Sequence, residues 1–398
     1  MRKSLINFVQ NMMEVFNTPN KVIITCNRRL SPYLEQEVKD LGFTIVRAFN
    51  TGVEIKASVN ECIRLNLNLR IASQILYEIK SFRANDPNEL YQNLVTIAWE
   101  EIIPFDSYFT VTSTVHNETI TTPLFANVKV KDAIVDRIKD KKGMRPNSGP
   151  DMHKCVVHLH WMEERAEIFI DTSGETLAKH GYRKHPGKAP MLEALATSTI
   201  LATGWDKKSP FVNPMCGSGT LAIEAALLAQ NRVPGLQRMN YSFMHFIGYD
   251  EAVFFEERRR IKEITEKTNL PPIVASDISA EAIEISKLNA RTAGVEHLIT
   301  FEVGDFADTT VPEGNGVVMF NPEYGERLGV HSKLEETYKR IGDFLKQEFK
   351  GYRGYVFTGN PDLAKRIGLR ASRRFEFFNG KLDCRLLQYE LYEGTKEN

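Results

Sequence analysis

The sequence predicts an α/β protein in which a ferredoxin-like amino-terminal region leads, through further α/β structure, to a mainly parallel, doubly wound sheet with an antiparallel last strand. Three observations carry this reading. From Phe211 onward, short apolar runs alternate with helical stretches, the pattern of parallel strands joined by crossover helices. Two of those runs, F-V-N-P from Phe211 and M-F-N-P from Met319, end in Asn-Pro before a glycine-bearing turn, as buried strands do at a sheet's carboxyl edge. Near the end, R-R-F-E-F-F and L-D-C-R-L-L-Q-Y-E-L are joined through Asn379-Gly380, a hairpin signal that reverses the last strand.

Residues 1–20 read as a loose or weakly helical leader and receive no function. From Lys21, K-V-I-I-T-C-N is a strand, Ser31-Pro32 opens a helix that closes at Gly42, and F-T-I-V-R-A-F is a strand. Gly52 turns the chain into G-V-E-I-K-A, Ser58 with Glu61 forms a capping box, and R-I-A-S-Q-I-L-Y-E-I is the closing strand. That β-α-β-β-α-β order is ferredoxin-like and is expected over residues 21–82. Asp86-Pro87 with Glu89 starts another helix, followed by the strand Y-F-T-V-T-S-T-V and a long helix from Ala126 to about Lys142. Two strands, K-C-V-V-H-L-H-W and R-A-E-I-F-I-D, turn at Glu163-Glu164 and complete a second α/β region over residues 83–172. A basic, Gly/Pro-punctuated stretch makes 173–190 a linker, and the doubly wound region fills 191–398, with helices near 251–268, 279–293 and 332–348.

Composition narrows the function classes. Lys plus Arg equals Asp plus Glu at 51 each, so no global field draws in a polyanion, and any nucleic-acid contact must be local. The one local surplus is Lys129, Lys131, Arg137, Lys139, Lys141, Lys142 and Arg145 against three aspartates. A solvated helix face is the plain reading of such a run; an RNA-phosphate patch is the functional one. Five scattered cysteines with no C-x-x-C pair argue against both a disulfide framework and a metal site, and point to a reducing, cytoplasmic setting. No apolar run is long enough to span a bilayer, and the amino terminus lacks the cleavage site of a signal peptide. A monomer is favoured, with no feature that fixes the oligomeric state.

Three strand ends of the last region carry an acid or amide: Asn213, Asp277 in A-S-D-I-S, and Asp305 in V-G-D-F. A carboxylate after the second strand suits two ribose hydroxyls, and an acid or amide after the third can meet an adenine amino group. With Pro214, Gly217, Ser218, Gly219 and Thr220 forming the turn and helix start beside them, this is a nucleoside pocket. A nicotinamide site fits less well, because the acid expected about 20 residues after the glycines is displaced by the segment 232–271. No Gly-Lys-Ser/Thr follows the turn, which excludes a P-loop. The second edge, Asn321-Pro322-Glu323-Tyr324, sets an amide, a carbonyl and an aromatic ring together with no nucleophile; Cys216 reads as a small packed residue.

These residues carry a family resemblance. V-K-V-K-D-A-I-V-D at 128–136, H-G-Y-R with A-P within 180–190, N-P-M-C-G-S-G-T-L-x-I-E-A-A at 213–226, I-T-F-E-V-x-D at 299–305 and N-P-x-Y-G-E-R-L at 321–328 are jointly specific. From residue 21 onward the chain resembles the THUMP-domain RNA (guanine-N2)-methyltransferases, including the amino-terminal half of the bacterial 23S rRNA enzyme and its stand-alone homologues. The resemblance implies a THUMP part over 83–172 and a Rossmann-like class I domain that binds S-adenosylmethionine through Asn213, Pro214, Gly217, Ser218, Gly219, Thr220, Asp277 and Asp305. It implies methyl transfer to a guanine amine in 23S rRNA. Asn321 and Pro322 would accept the amine hydrogens, and Tyr324 would stack on a base drawn out of its helix. RNA contacts would fall to Lys129, Lys139, Lys141, Lys142, Arg145, Arg183 and Arg327. A tRNA substrate, or an assembly factor with weakened methyl transfer, are the alternatives. Glu323 stands where the family usually has a second proline, which is expected to loosen the acceptor loop. Larger members carry a second methyltransferase domain, so a second modification is expected from another protein.

Overall fold

A computed structural model describes residues 16–120, 122–185, 190–324 and 331–392. The expected leader lies outside the described residues up to 15, as do residues 186–189 of the expected linker and Arg327. The chain forms two compact units.

The first unit comprises the described residues to Cys26, then Leu34–Leu177 and Arg238–Arg260. Its elements in chain order are β1 (Asn20–Thr25), α1 (Ser31–Asp40, whose first turn belongs to the second unit), β2 (Ile45–Phe49), β3 (Gly52–Ala57), α2 (Val59–Asn68) and β4 (Gln74–Arg83). They continue as α3 (Pro87–Val95), β5 (Tyr108–His116), α4 (Pro123–Lys142), β6 (Asn147–Ser148), β7 (Cys155–Met162) and β8 (Arg165–Asp171). The expected caps at Ser58 and Asp86 are present, whereas Ser31, expected as a cap, is already the first helical residue of α1. Ser58 Oγ accepts from Glu61 N at 3.2 Å while Glu61 Oε2 accepts from Ser58 N at 2.7 Å, and Asp86 caps α3 through the N–H groups of Asn88 and Glu89.

The two expected α/β regions share one eight-stranded sheet, in the order β2-β3-β1-β4-β8-β7-β5-β6. The joint is β4: its first residues pair with β1, and from Leu76 to Arg83 it pairs antiparallel with β8. The sequence placed the start of β4 at Arg70, but the Glu37 carboxylate accepts the N–H groups of Arg70 and Ile71 at 3.1–3.3 Å and holds them out of the ladder. Beside the joint, Glu167 receives Lys21 Nζ at 2.6 Å. Burial would raise this carboxyl, but His160, Lys21 and Arg165 outweigh it and hold it down to about 2.

The second unit comprises Asn27–Tyr33, Ala178–Gln237 and the described residues from Ile261 onward. Chain order gives α5 (Glu193–Ala202), β9 (Phe211–Pro214), α6 (Thr220–Ala229), α7 (Glu251–Glu263, mostly in the first unit), β10 (Ile273–Asp277), α8 (Ala280–Ala293) and β11 (Ile299–Val303). There follow β12 (Val317–Phe320), α9 (His331–Glu348), β13 (Arg353–Thr358), α10 (Pro361–Arg366), β14 (Arg373–Asn379) and β15 (Leu382–Glu390). The sheet order is β11-β10-β9-β12-β13-β15-β14, parallel except for β15, which pairs antiparallel with both β13 and β14. Strands β9 and β12 are buried along their whole length, as strands covered on both faces must be. The order in which strands are added reverses at β9, with β10 on one side and β12 on the other, so their carboxyl ends open the crevice where such folds bind ligands. Among the described residues, no helix is long and apolar enough to cross a membrane.

Candidate active site

The carboxyl ends of β9, β10 and β12 define the site within the second unit. After β9 the chain turns through Met215, Gly217 and Gly219, all left-handed, with φ of 56°, 57° and 80°. Glycine is required at 219 for a second reason: a Cβ there would lie 2.9 Å from Ser286 Cβ. At Gly217 a Cβ would meet nothing within 4 Å, so that side of the turn is open space. Strain at a ligand-facing turn persists only where its surroundings fix it, and here one helix does so. Ser286 Oγ on α8 donates to Gly217 O at 2.7 Å, and Asn289 Nδ2, one turn on, donates to Ser218 O at 3.3 Å and to His185 O at 3.0 Å.

The expected cofactor residues converge here, each with a partner the sequence did not name. Asn213 is 1% exposed; its Nδ2 donates to Met319 O at 2.9 Å and ties the end of β9 to β12, while its buried Oδ1 lacks a partner among the described residues. Pro214 ends β9 in register with Ser276 of β10. Asp277 Oδ2 accepts from Gly217 N at 2.9 Å and Oδ1 from Ser279 N at 2.9 Å, which joins the second strand's end to the glycine turn and leaves lone pairs for hydroxyl donors. Asp305 Oδ1 accepts from Ala307 N at 2.9 Å and from Arg340 Nη2 at 2.7 Å. Burial works to raise its carboxyl, yet the Ala307 N–H and the Arg340 guanidinium hold it below the usual range. Thr220 begins α6, whose first N–H groups have no partners within the helix and suit a carboxylate. Cys216 is no nucleophile, since burial pushes its thiol up to about 12. An open turn, an orphaned buried acceptor, a carboxylate at the second strand's end and a free helix start fit an amino-acid-bearing nucleoside such as S-adenosylmethionine.

Sequence reasoning missed a buried polar cluster beside this turn. His180 Nδ1 lies 2.8 Å from Glu224 Oε1, neither side chain exposed, and Thr197 Oγ1 donates to Glu224 Oε2 at 2.8 Å. Burial would raise the Glu224 carboxyl, but His180 and Thr197 hold it below the usual range. Arg183, expected as an RNA contact, is turned inward: its guanidinium donates to Met191 O at 2.6 Å and Thr220 Oγ1 at 2.8 Å and lies 3.4 Å from Glu193. That placement engages the guanidinium within the unit and makes Arg183 a brace for the start of α6. The signal was present as a glutamate within the apolar run T-L-A-I-E-A-A-L-L-A.

At the end of β12, Asn321 Oδ1 is buried with no hydrogen-bond partner among the described residues, Pro322 is buried, and Glu323 is exposed. Tyr324 packs against the apolar core of the unit, and its hydroxyl accepts from Asn379 Nδ2 at 2.9 Å. Burial pushes its phenol up to about 12. In the first unit, Lys139, Lys141, Lys142 and Arg145 are exposed at the end of α4, and Lys129 is half-buried with its ammonium 5.7 Å from the Phe125 ring centre. Arg137 is bound bidentately to Glu100 at 2.8 and 2.9 Å, which removes one charge from the surplus read in the sequence.

Residues 180–388 match the RMKL-like methyltransferase domain, 21–76 the RlmL ferredoxin-like domain and 84–171 the THUMP domain. The ribosomal RNA large subunit methyltransferase K/L of Syntrophotalea carbinolica is 34% identical over 95% of this chain and 54% of its own length. The chain spans about half the length of the curated relatives it matches. SMU.472, solved with S-adenosylhomocysteine bound, superposes with a TM-score of 0.85 at 27% identity, covering 95% of this chain and all of that one. A Listeria monocytogenes structure described as a predicted adenine-N6-specific DNA methylase superposes at 0.84 with 30% identity, covering 94% of this chain and 97% of its own. The cofactor is S-adenosylmethionine, the fold is class I, and the chain belongs to the RMKL-like methyltransferase family.

Proposed function

We propose that this protein transfers a methyl group to the exocyclic N2 amine of a guanine in 23S rRNA. The observation that carries the reading is Asn321 Oδ1, a buried acceptor left without a partner among the described residues at the end of β12. Leaving such an acceptor unpaired costs about 1–3 kcal/mol, and a buried amide tolerates that cost where a ligand donor satisfies it.

S-adenosylmethionine, when bound, supplies an electrophilic methyl group on a sulfonium centre. The rest is positioning. A purine amine is a poor nucleophile because its lone pair is delocalised into the ring, and Asn321 Oδ1 with the Pro322 carbonyl would accept its two hydrogens and aim the lone pair. As the amine attacks, positive charge grows on its nitrogen, so these acceptors hold it more tightly in the transition state than before it. Tyr324 offers the face on which an extruded base stacks, against an unstacking cost of a few kcal/mol. Glu323 is exposed, and the released amine proton is left to solvent. The THUMP match and the exposed lysines at the end of α4 support an RNA substrate, and the rRNA names of the curated relatives support its class.

The test is incubation of purified protein with methyl-labelled S-adenosylmethionine and, separately, 23S rRNA, tRNA and duplex DNA, with nucleoside identification by mass spectrometry. Label in N2-methylguanosine from 23S rRNA is the expected result. Label in tRNA alone, or in N6-methyladenine of DNA, would overturn the substrate.

A further inference from the structure

The carboxyl-terminal hairpin contributes to the site from a distance in sequence. Its turn at Asn379-Gly380 closes β14 onto β15, with Gly380 left-handed at φ 61° and Asn379 opposite Leu382. From that turn Asn379 Nδ2 donates to the Tyr324 hydroxyl across 55 residues of sequence, at 2.9 Å. Two neighbours limit where the phenol can go. Cys384 of β15 is fully buried beside the hydroxyl, and Gly359 leaves the space in which Leu382 and Cys384 sit, since a Cβ there would fall 2.5 Å from Leu382 Cδ2.

The turn is itself held. Within the same unit, the Arg28 and Arg29 guanidiniums lie 4.8 and 4.3 Å from the Phe378 ring centre, and Arg29 is paired with Asp383 at 2.5 Å and Glu376 at 3.3 Å. Tyr33 stacks on Phe377 at 5.9 Å. An aromatic ring anchored only at Cβ can swing about χ1, whereas one also bonded at its far oxygen is held at both ends of its long axis. A stacking face is useful in proportion to how well its position is fixed, because a misplaced base loses its alignment with the acceptors at Asn321 and Pro322.

We propose that Asn379 is a positioning residue for the target base, acting by fixing the position of the Tyr324 ring through its hydroxyl. The inference rests on the role given to Tyr324 above. Because Asn379 acts through the Tyr324 hydroxyl, its signature is a loss in turnover without a loss in cofactor binding.

The experiment compares Asn379→Ala, Tyr324→Phe, their double variant, Asn379→Asp and Tyr324→Ala, reading kcat on 23S rRNA and S-adenosylmethionine affinity. Asn379→Ala and Tyr324→Phe should each lower kcat about tenfold with cofactor affinity held within about twofold, and the double variant should be no worse than either, since both remove one bond. Asn379→Asp, which can accept the phenol hydrogen in a reversed bond, should recover most of the loss. A second readout needs no substrate: in carbon-13 tyrosine-labelled protein, the Tyr324 ring signal, assigned by its absence in Tyr324→Phe, should show a lower order parameter for the ring axis in Asn379→Ala. An unchanged order parameter, or losses that multiply in the double variant, would overturn the inference. A kcat untouched by Tyr324→Ala would instead overturn the stacking role on which it rests.

Discussion

Asn321 and its neighbours show how much a residue's role depends on what its hydrogen bonds leave over. Asn213 and Asn321 follow strand runs of similar sequence, yet Asn213 spends its amide donor on Met319 O, and each keeps a buried oxygen unsatisfied among the described residues. The residue types at these positions were legible in the sequence, because an amide or acid at a strand end is a local pattern. Their partners were not: the donors to Asp277 and Asp305, Gly217 N and Arg340, are 60 and 35 residues away. Glu323, read from sequence as a departure that loosens the loop, is exposed. Glu323→Gln should therefore change kcat by less than about threefold, because an exposed side chain interacts with the reacting centre only through water. A loss beyond tenfold in a steady-state assay would give Glu323 a direct part in proton removal.

At the scale of elements, the glycine turn is built by helix α8. Its buried stripe reads Ile283, Ser286, Asn289, Ala290 and Ala293, and the two polar members are those that hold Gly217 O and Ser218 O. Polar residues three apart on an otherwise apolar face were a visible signal, and they mark where a helix is asked to bond a loop. Asn289→Ala should weaken S-adenosylmethionine binding about tenfold, with kcat at saturating cofactor much less affected, because the turn and not the acceptor pair is loosened. Calorimetric titration against steady-state rates separates the two. The His180–Glu224 pair belongs to the same level: Glu224→Ala removes the carboxylate that bonds a fully buried histidine and Thr197, and should cost about 1–3 kcal/mol in denaturant unfolding. Helix caps and the Asn-Gly hairpin were readable because they are local; the union of two regions through β4 and β8 was not, since a long strand that changes partners looks like any other strand.

At the scale of the molecule, the partition into units departs from the order of the sequence. Arg238–Arg260 packs with the first unit, where Arg238 donates to Ser173 O and Glu175 O at 2.8 Å and Ser242 Oγ accepts from Val156 N at 2.9 Å. From sequence this stretch was only the insertion that displaced the ribose-binding acid. The first unit also carries a pH dependence. His158, bonded to Thr112 at 2.9 Å, is pushed down to about 4 by burial and by His160. Between about pH 6.5 and 4 the unfolded chain takes up this proton and the folded one does not, so the stability it contributes at neutral pH is lost as pH falls through that window. Asp171, raised to about 6 by burial, acts in the opposite sense over its own range, so the comparison must be with a variant. His158→Asn should have a shallower fall in melting temperature from pH 6.5 to 4 than the parent protein; equal slopes would contradict the assignment. Replacing Lys139, Lys141 and Lys142 together should lower RNA affinity and reduce the slope of log K against log salt by about 2, at roughly 0.7 for each single-strand phosphate no longer neutralised. An unchanged slope would return the end of α4 to a solvated face.

The proposed chemistry turns on one oxygen, and Asn321→Ala tests it most directly. S-adenosylmethionine affinity, measured by calorimetry, should stay within a few-fold, while single-turnover methyl transfer should fall by about 100-fold or more, the loss typical of removing one oriented hydrogen-bonding group at a reacting centre. Equal losses in cofactor binding and transfer would place Asn321 with the cofactor and contradict its service to the target amine.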